Sequence, residues 1–337
     1  MILTNNNDYP LSIAVWLAVD WYDYNRHPGK LHMSATGLLK PIRQTILGLR
    51  LQKMADQETV RDIHQDIPNR MGTAIHAGIE RAWKNKEKRT EALLTMGFPA
   101  DVVSRIRVNP DWKELAANPD WIPVYIEQRF YKELDGFIID GEVDFIGQGI
   151  PEDFKSTGVY GYMKGNNDEK YVQQVSIYRW LAPEVITSDY CRINNIFTDW
   201  SKLDAMIKKK AGYPHSRIVS KKLELMSIQE TETFIQGRLR QIKAHLDSPE
   251  PQLPRCTPEE LWQDKTVYKF FSKPTNTRCQ KTFDTYPEAH AYFIEKGATG
   301  QIREVHGKVK RCGYCDGADL CSQKAEYVAQ GLYQEAA

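Results

Sequence analysis

The stretch Phe137–Gly158, "FIIDGEVDFIGQGIPEDFKSTG", decides how the chain is read, because helical spacing gives way there to a short β period. Apolar and polar residues alternate, and Gly-Gln-Gly at 147–149 separates two runs, the pattern of adjacent strands joined by a tight turn. "WIPVYIEQRFYKEL" (121–134) precedes it across Asp135-Gly136, so the region predicts a meander of three strands. Strand side chains repeat with period two, so Asp153 and Lys155 share a face and Glu152 points away. A hairpin between the last two runs brings Asp144 alongside Asp153. Two close carboxylates repel unless a cation lies between them, and carboxylate oxygens suit Mg²⁺ or Mn²⁺. A lysine beside them can help a water attack a phosphate, or offset the charge that develops there.

Working outward, "GTAIHAGIERAWKNKEKRTEALLTMG" (72–97) predicts one long amphipathic helix with Ile75, Ile79, Ala82 and Trp83 at helical spacing. On it, His76 and Glu80 are four apart and project from one face. Residues 1–70 read as helical segments broken by "NRHPGK" (25–30), with Ser34 or Thr36 as a cap. Downstream, "YVQQVSIYRWLA" (171–182) returns to helical spacing with Gln174 and Tyr178 on one face, and "NNIFTDWS" (194–201) reads as a strand. Helix, strands, helix, strand indicates an α/β core. After a helix in 227–248, Pro249, Pro251 and Pro254 mark a linker, and short strands surround a helix at 287–296. The expected division is a helical N-terminal segment (1–70), a core (71–248) and a small cysteine module (249–337).

The 337 residues carry 45 basic and 44 acidic side chains, net +1, so overall charge neither selects nor excludes a polyanionic partner. No run approaches the roughly 18 to 20 apolar residues that span a bilayer, and the N-terminus lacks the features of a signal peptide. A cytoplasmic, reducing compartment with no membrane association is expected. Five of the six cysteines fall in the last quarter, which favours a local metal or cluster site over scattered disulfides.

The order of these features is specific. A G-x-x-x-H-x-x-x-E helix, an aspartate strand, D-x-K and then Q-x-x-x-Y resembles the RecB-like branch of the PD-(D/E)XK nuclease superfamily, over residues 33–180, and "MSATGLLKPIRQTIL" (33–47) is similar to the segment preceding the histidine helix there. The resemblance implies a restriction-endonuclease-like core, a central mixed sheet flanked by helices. It implies that Asp144 and Asp153 bind metal and that Lys155 is the catalytic lysine. His76 and the main-chain carbonyl of Phe154 become further ligands, Glu80 and Glu127 supporting ones, and Gln174 and Tyr178 orient the lysine and contact DNA. The literal proline–aspartate of the name is absent, since Val143 precedes Asp144.

"RCGYCDGADLC" (311–321) spaces Cys312, Cys315 and Cys321 as C-x2-C-x5-C, and three cysteines need a fourth ligand. Cys256 is the first choice, Cys279 the second, and His306 would suit zinc. The trio resembles the [4Fe–4S] sites of AddB-type and CRISPR-adaptation nucleases, with structural Zn²⁺ as the alternative; the distant cysteine that precedes the nuclease motifs in those proteins has no counterpart before Cys191. Lys208, Lys209, Lys210, Arg217, Lys221 and Lys222 form a basic stretch that can contact phosphates or be a solvated face. Tyr160 and Tyr162 can stack on bases or pack internally. The expected function is a Mg²⁺- or Mn²⁺-dependent deoxyribonuclease acting at DNA ends or single strands in recombination, repair or phage DNA metabolism, alongside a recombination or single-strand-binding partner. A non-catalytic DNA-binding subunit that retains the fold, and an endonuclease with the same chemistry, are the competing readings.

Overall fold

The computed structural model describes residues 2–20, 31–53, 60–165, 167–208 and 212–335. It forms two compact units, Met1–Leu39 with Glu58–Arg240, and Lys40–Gln57 with Gln241–Ala337. The boundaries expected at 70 and 248 are therefore redrawn. Helix Ile42–Lys53 belongs with the C-terminal residues, because Leu47 packs on Gly317 and Arg43 is bound into the segment at 250–254.

In the first unit, β1 (Ile2–Thr4) pairs in parallel with β3 (Val60–Asp62). A mixed sheet is built from β2 (Leu31–Ser34), β4 (Ile106–Val108), β5 (Ile122–Leu134), β6 (Phe137–Gly147), β7 (Ile150–Thr157), β8 (Tyr190–Phe197) and β9 (Ile218–Glu224). Its order is β4-β5-β6-β7-β8-β9, with β2 also on β6. The expected meander is β5–β6–β7. Both of its turns, Asp135-Gly136 (φ 50° and 78°) and Gln148-Gly149 (φ 54° and 75°), take the left-handed backbone whose twist suits a two-residue hairpin. β7 and β8 run parallel, joined through helix Asp168–Leu181.

β6 pairs with β5 along one edge; on the other it pairs with β2 over 137–140 and with β7 over 145–147. Between them, residues 141–143 have no ladder partner on that edge among the described residues. There Tyr178 lies so close to Gly141 that a Cβ would sit 2.6 Å from its ring. Helix Asp168–Leu181 buries Val175, Ile177 and Trp180, each such side chain contributing about 1.5–3 kcal/mol.

Two expectations of local structure change. The helix expected over 72–97 is two, Ile67–Lys84 and Lys86–Thr95, because Asn85 accepts a bond from the backbone N–H of Lys88 and starts the second as its N-cap. The N-terminal segment is not wholly helical: Leu31–Ser34 is a strand, recruited by β6, after which Ser34 caps a short helix through the N–H of Gly37. The turn at 25–30 lies outside the described residues.

In the second unit, β10 (Val267–Phe271), β11 (Lys281–Phe283) and β12 (Gln301–Val305) form an antiparallel sheet in the order β11-β10-β12, with helix Tyr286–Glu295 bringing Tyr292 to Phe270 at 5.2 Å between ring centroids. A second cluster gathers Leu261, Val309 and Cys312. The expected proline linker is instead a packed arm, since Leu253 is buried and the carbonyls of Glu250, Leu253 and Pro254 all accept from Arg43.

Candidate functional site

Strand register assembles the acidic centre. Ile126 pairs with Phe145 and Gln128 with Val143, so Glu127 and Asp144 stand opposite each other. Phe145 pairs with Glu152 in the other hairpin, so Asp144 also stands opposite Asp153. Glu127 takes a left-handed backbone, φ 45°, uncommon for a residue other than glycine and a conformation that clusters at functional sites. Asn109 braces that bend, donating to the Ile126 carbonyl at 3.0 Å and accepting from the Ile126 N–H at 2.8 Å.

Helix Ile67–Lys84 packs Ile79 and Trp83 on the cluster of Val124, Ile126 and Phe145, and this seats His76 over the carboxylates. His76 Nδ1 lies 3.1 Å from Glu127 Oε1 and 3.7 Å from Asp144 Oδ1, and Nε2 lies 3.1 Å from the Phe154 carbonyl. Among the described residues, His76, Glu127 and Asp144 are the one group of three such ligands whose donor atoms lie within 4.8 Å of one another. Burial disfavours charge on His76, but the bond to Glu127, the charges of Asp144 and Glu127 and the Phe154 carbonyl outweigh it and raise its pKa to about 9. The imidazolium thus donates from both nitrogens. Burial and repulsion from Asp153 push the Asp144 carboxyl up to about 7, and its Oδ2 accepts from the Phe154 N–H at 2.6 Å.

Asp153, 2% exposed, faces Lys155, with Nζ 2.7 Å from Oδ2. Burial opposes the ammonium charge, but Asp153 and Asp144 hold the Lys155 pKa above its ordinary value. Gln174 joins them: its Oε1 accepts from Lys155 at 3.4 Å, and its Nε2 donates to Asp153 at 3.2 Å and to Tyr178 Oη at 2.7 Å. Burial keeps Tyr178 a neutral phenol. Tyr171, which the sequence reading passed over, sets its ring 5.2 Å from Lys155 Nζ.

Several candidates sit elsewhere. Glu80 lies outside the ligand group and pairs with Lys84 at 2.5 Å, one helical turn on. Glu152 points away, as alternation requires, to Arg192 and Asn194. The basic stretch is largely matched locally: Lys208 by Asp204, Lys221 by Asp168 and Lys222 by Glu224, while Arg217 lies over Trp200. Lys209 and Lys210 lie outside the described residues. Tyr160 is 70% exposed, whereas Tyr162 packs edge-on against Phe197.

In the second unit, Cys256, Cys312, Cys315 and Cys321 line one cavity together with Arg43, Arg311 and Lys324. Cys279 and His306 do not line it; Cys279 faces Thr282 and His306 faces Glu304. Burial lifts the Cys256 thiol to about 12 and that of Cys315 to about 11, so without a cation both stay protonated. Arg43 and Gln323 had no signal in the sequence, since each acts on residues distant along the chain.

No protein-family model and no curated protein matches the sequence. Among solved structures, SSO0001 aligns at 15% identity over 64% of this chain and 78% of that one, with a TM-score of 0.36. A phage-related exonuclease from Haemophilus somnus aligns at 14% identity over 65% of this chain and 97% of that one, with a TM-score of 0.27. Likenesses this distant carry no functional inference, which has to come from the site itself.

Proposed function

We propose that this protein is a metal-dependent deoxyribonuclease of the PD-(D/E)XK kind that degrades DNA from its ends. The observation that carries this reading is the convergence of His76, Glu127 and Asp144 within 4.8 Å, beside the Asp153–Lys155–Gln174 chain. Two buried carboxylates facing each other, one of them holding a proton to about pH 7, are a donor set that fits Mg²⁺ or Mn²⁺. His76, Asp144 and Asp153 would hold the ion, with Glu127 and the Phe154 carbonyl beside them.

The bound ion would neutralise the carboxylates, acidify a water and polarise the phosphate. Lys155, held charged, acts as a donor to the phosphate oxygen where negative charge develops, and not as a base. Gln174 fixes the ammonium through its carbonyl while its amide holds Asp153, and Tyr178 fixes Gln174. Tyr160, exposed beyond β7, offers a ring for an unpaired base.

With Mn²⁺ and end-labelled linear or closed circular DNA, the wild type should digest the linear substrate alone. Asp144→Ala and Lys155→Ala should each lower the rate at least ~10³-fold with an unchanged circular dichroism spectrum. Near-normal activity in both variants sinks the assignment. Cleavage of circles makes the protein an endonuclease, and binding without cleavage makes it a non-catalytic subunit.

The four cysteines support a structural metal centre in the second unit, with Cys256 as fourth ligand. The C-x2-C-x5-C trio resembles [4Fe–4S] sites, which favours a cluster, with structural zinc as the alternative. Anaerobically purified protein should absorb near about 400 nm; colourless protein containing zinc selects the other metal.

A further inference from the structure

Arg43 is 3% exposed, an unusual place for a guanidinium. All five of its N–H donors are used. Nε donates to the Pro254 carbonyl at 3.1 Å, and Nη2 to the carbonyls of Leu253 at 2.8 Å and Glu250 at 3.4 Å. Nη1 donates to the Glu250 carboxylate and to Cys321 Sγ, the latter at 3.7 Å. Four of the five acceptors belong to residues 250–254, the arm that delivers Cys256, and the fifth is a cysteine sulfur.

The clamp extends further. Glu250 Oε1 also accepts from Ser322 N at 3.0 Å and Ser322 Oγ at 3.2 Å, so one carboxylate ties the arm to the residue after Cys321. Gln323, 2% exposed, grips the backbone of Cys256 at both its N–H and its carbonyl, each at 2.9 Å. Arg311 and Lys324 line the same cavity but are engaged by Gln44 and Asp319.

We propose that Arg43 is the positioning residue of the four-cysteine centre. It sets the place of Cys256 through the arm and the electron density of Cys321 through its N–H···S bond, and this rests on reading the cysteines as a metal centre. A cation donating to a ligating sulfur stabilises the more reduced, more negative state of an iron–sulfur cluster and raises its potential. A lysine, with three donors on one point, cannot span three carbonyls, a carboxylate and a sulfur at once.

The test compares the full-length wild type, Arg43→Lys and Glu250→Gln, each loaded anaerobically with ferrous iron and sulfide, and separately with zinc. Metal content, retention against a chelator, far-UV circular dichroism and midpoint potential are measured. Arg43→Lys should remain folded, lose metal ~10–100-fold more readily and shift to a lower potential. Glu250→Gln, which leaves the arginine charge less compensated, should shift to a higher one. Wild-type retention and potential in folded Arg43→Lys overturn the proposal, as do shifts of the same sign in both variants. If zinc alone is taken up, Co²⁺ replaces it, and thiolate-to-metal bands unmoved in Arg43→Lys overturn it. Wild-type protein that takes up neither metal overturns the cysteine reading and the proposal with it, whereas a loaded wild type with unaffected variants overturns only the role of Arg43.

Discussion

His76 holds the acidic centre together, an imidazolium set between Glu127 and Asp144. Its pKa is raised from 6.5 to about 9, and that of Asp144 from 3.8 to about 7. In both cases the folded state holds a proton that the unfolded state has released, so stability falls as pH rises through each window. His76 contributes fully below its unfolded value and loses that contribution as pH climbs through 9; Asp144 does so as pH climbs through 7. The two titrate as a pair. Chelated protein should therefore lose ~1–3 kcal/mol between pH 6.5 and 9 in urea melts. Mg²⁺ competes with the same protons, so it should release protons on binding and flatten that fall. A fall of equal size with and without Mg²⁺ would remove these groups as ligands.

The open edge of β6 is the element that admits the glutamine helix. Between β2 and β7 its residues 141–143 have no ladder partner on that edge among the described residues, and Gly141 leaves room for the Tyr178 ring. Gly141→Ala would place a methyl 2.6 Å from two ring carbons within a packed core, a strain of ~1–3 kcal/mol. Tyr178 carries the bond to Gln174, and Gln174 the bond to Lys155, so the variant should be folded, less stable and at least ~10-fold slower, with Mn²⁺ affinity unchanged. A variant equally fast would show that the helix does not position the lysine.

The two compact units carry one proposed centre each: the acidic site in the first, the cysteine cavity in the second. Ligands that bind only the folded state raise stability by mass action, about 2.7 kcal/mol at a hundredfold excess over Kd. Calorimetry should show two transitions that respond separately. Mg²⁺ should raise one, and Cys315→Ser should lower the other, leaving the proposed nuclease activity within a few fold. One transition moved by both perturbations would show instead that the chain melts as a whole.

Local chemistry was legible along the sequence: period-two runs, Asp135-Gly136 and Gln148-Gly149, the D-x-K pair, the i, i+4 helix pairs and the C-x2-C-x5-C spacing are each set within a few residues, where sterics and periodicity act. The break at Asn85 was harder to see, because a cap competes with a helical pattern that continues past it. The left-handed backbone at Glu127, the pairing of Glu80 with Lys84, the cavity that gathers Cys256 with the trio and the clamp by Arg43 appear only in three dimensions. Each depends on which distant group reaches a buried donor or acceptor first. Packing and strand register settle that competition, and neither is written in the spacing of residues along the chain.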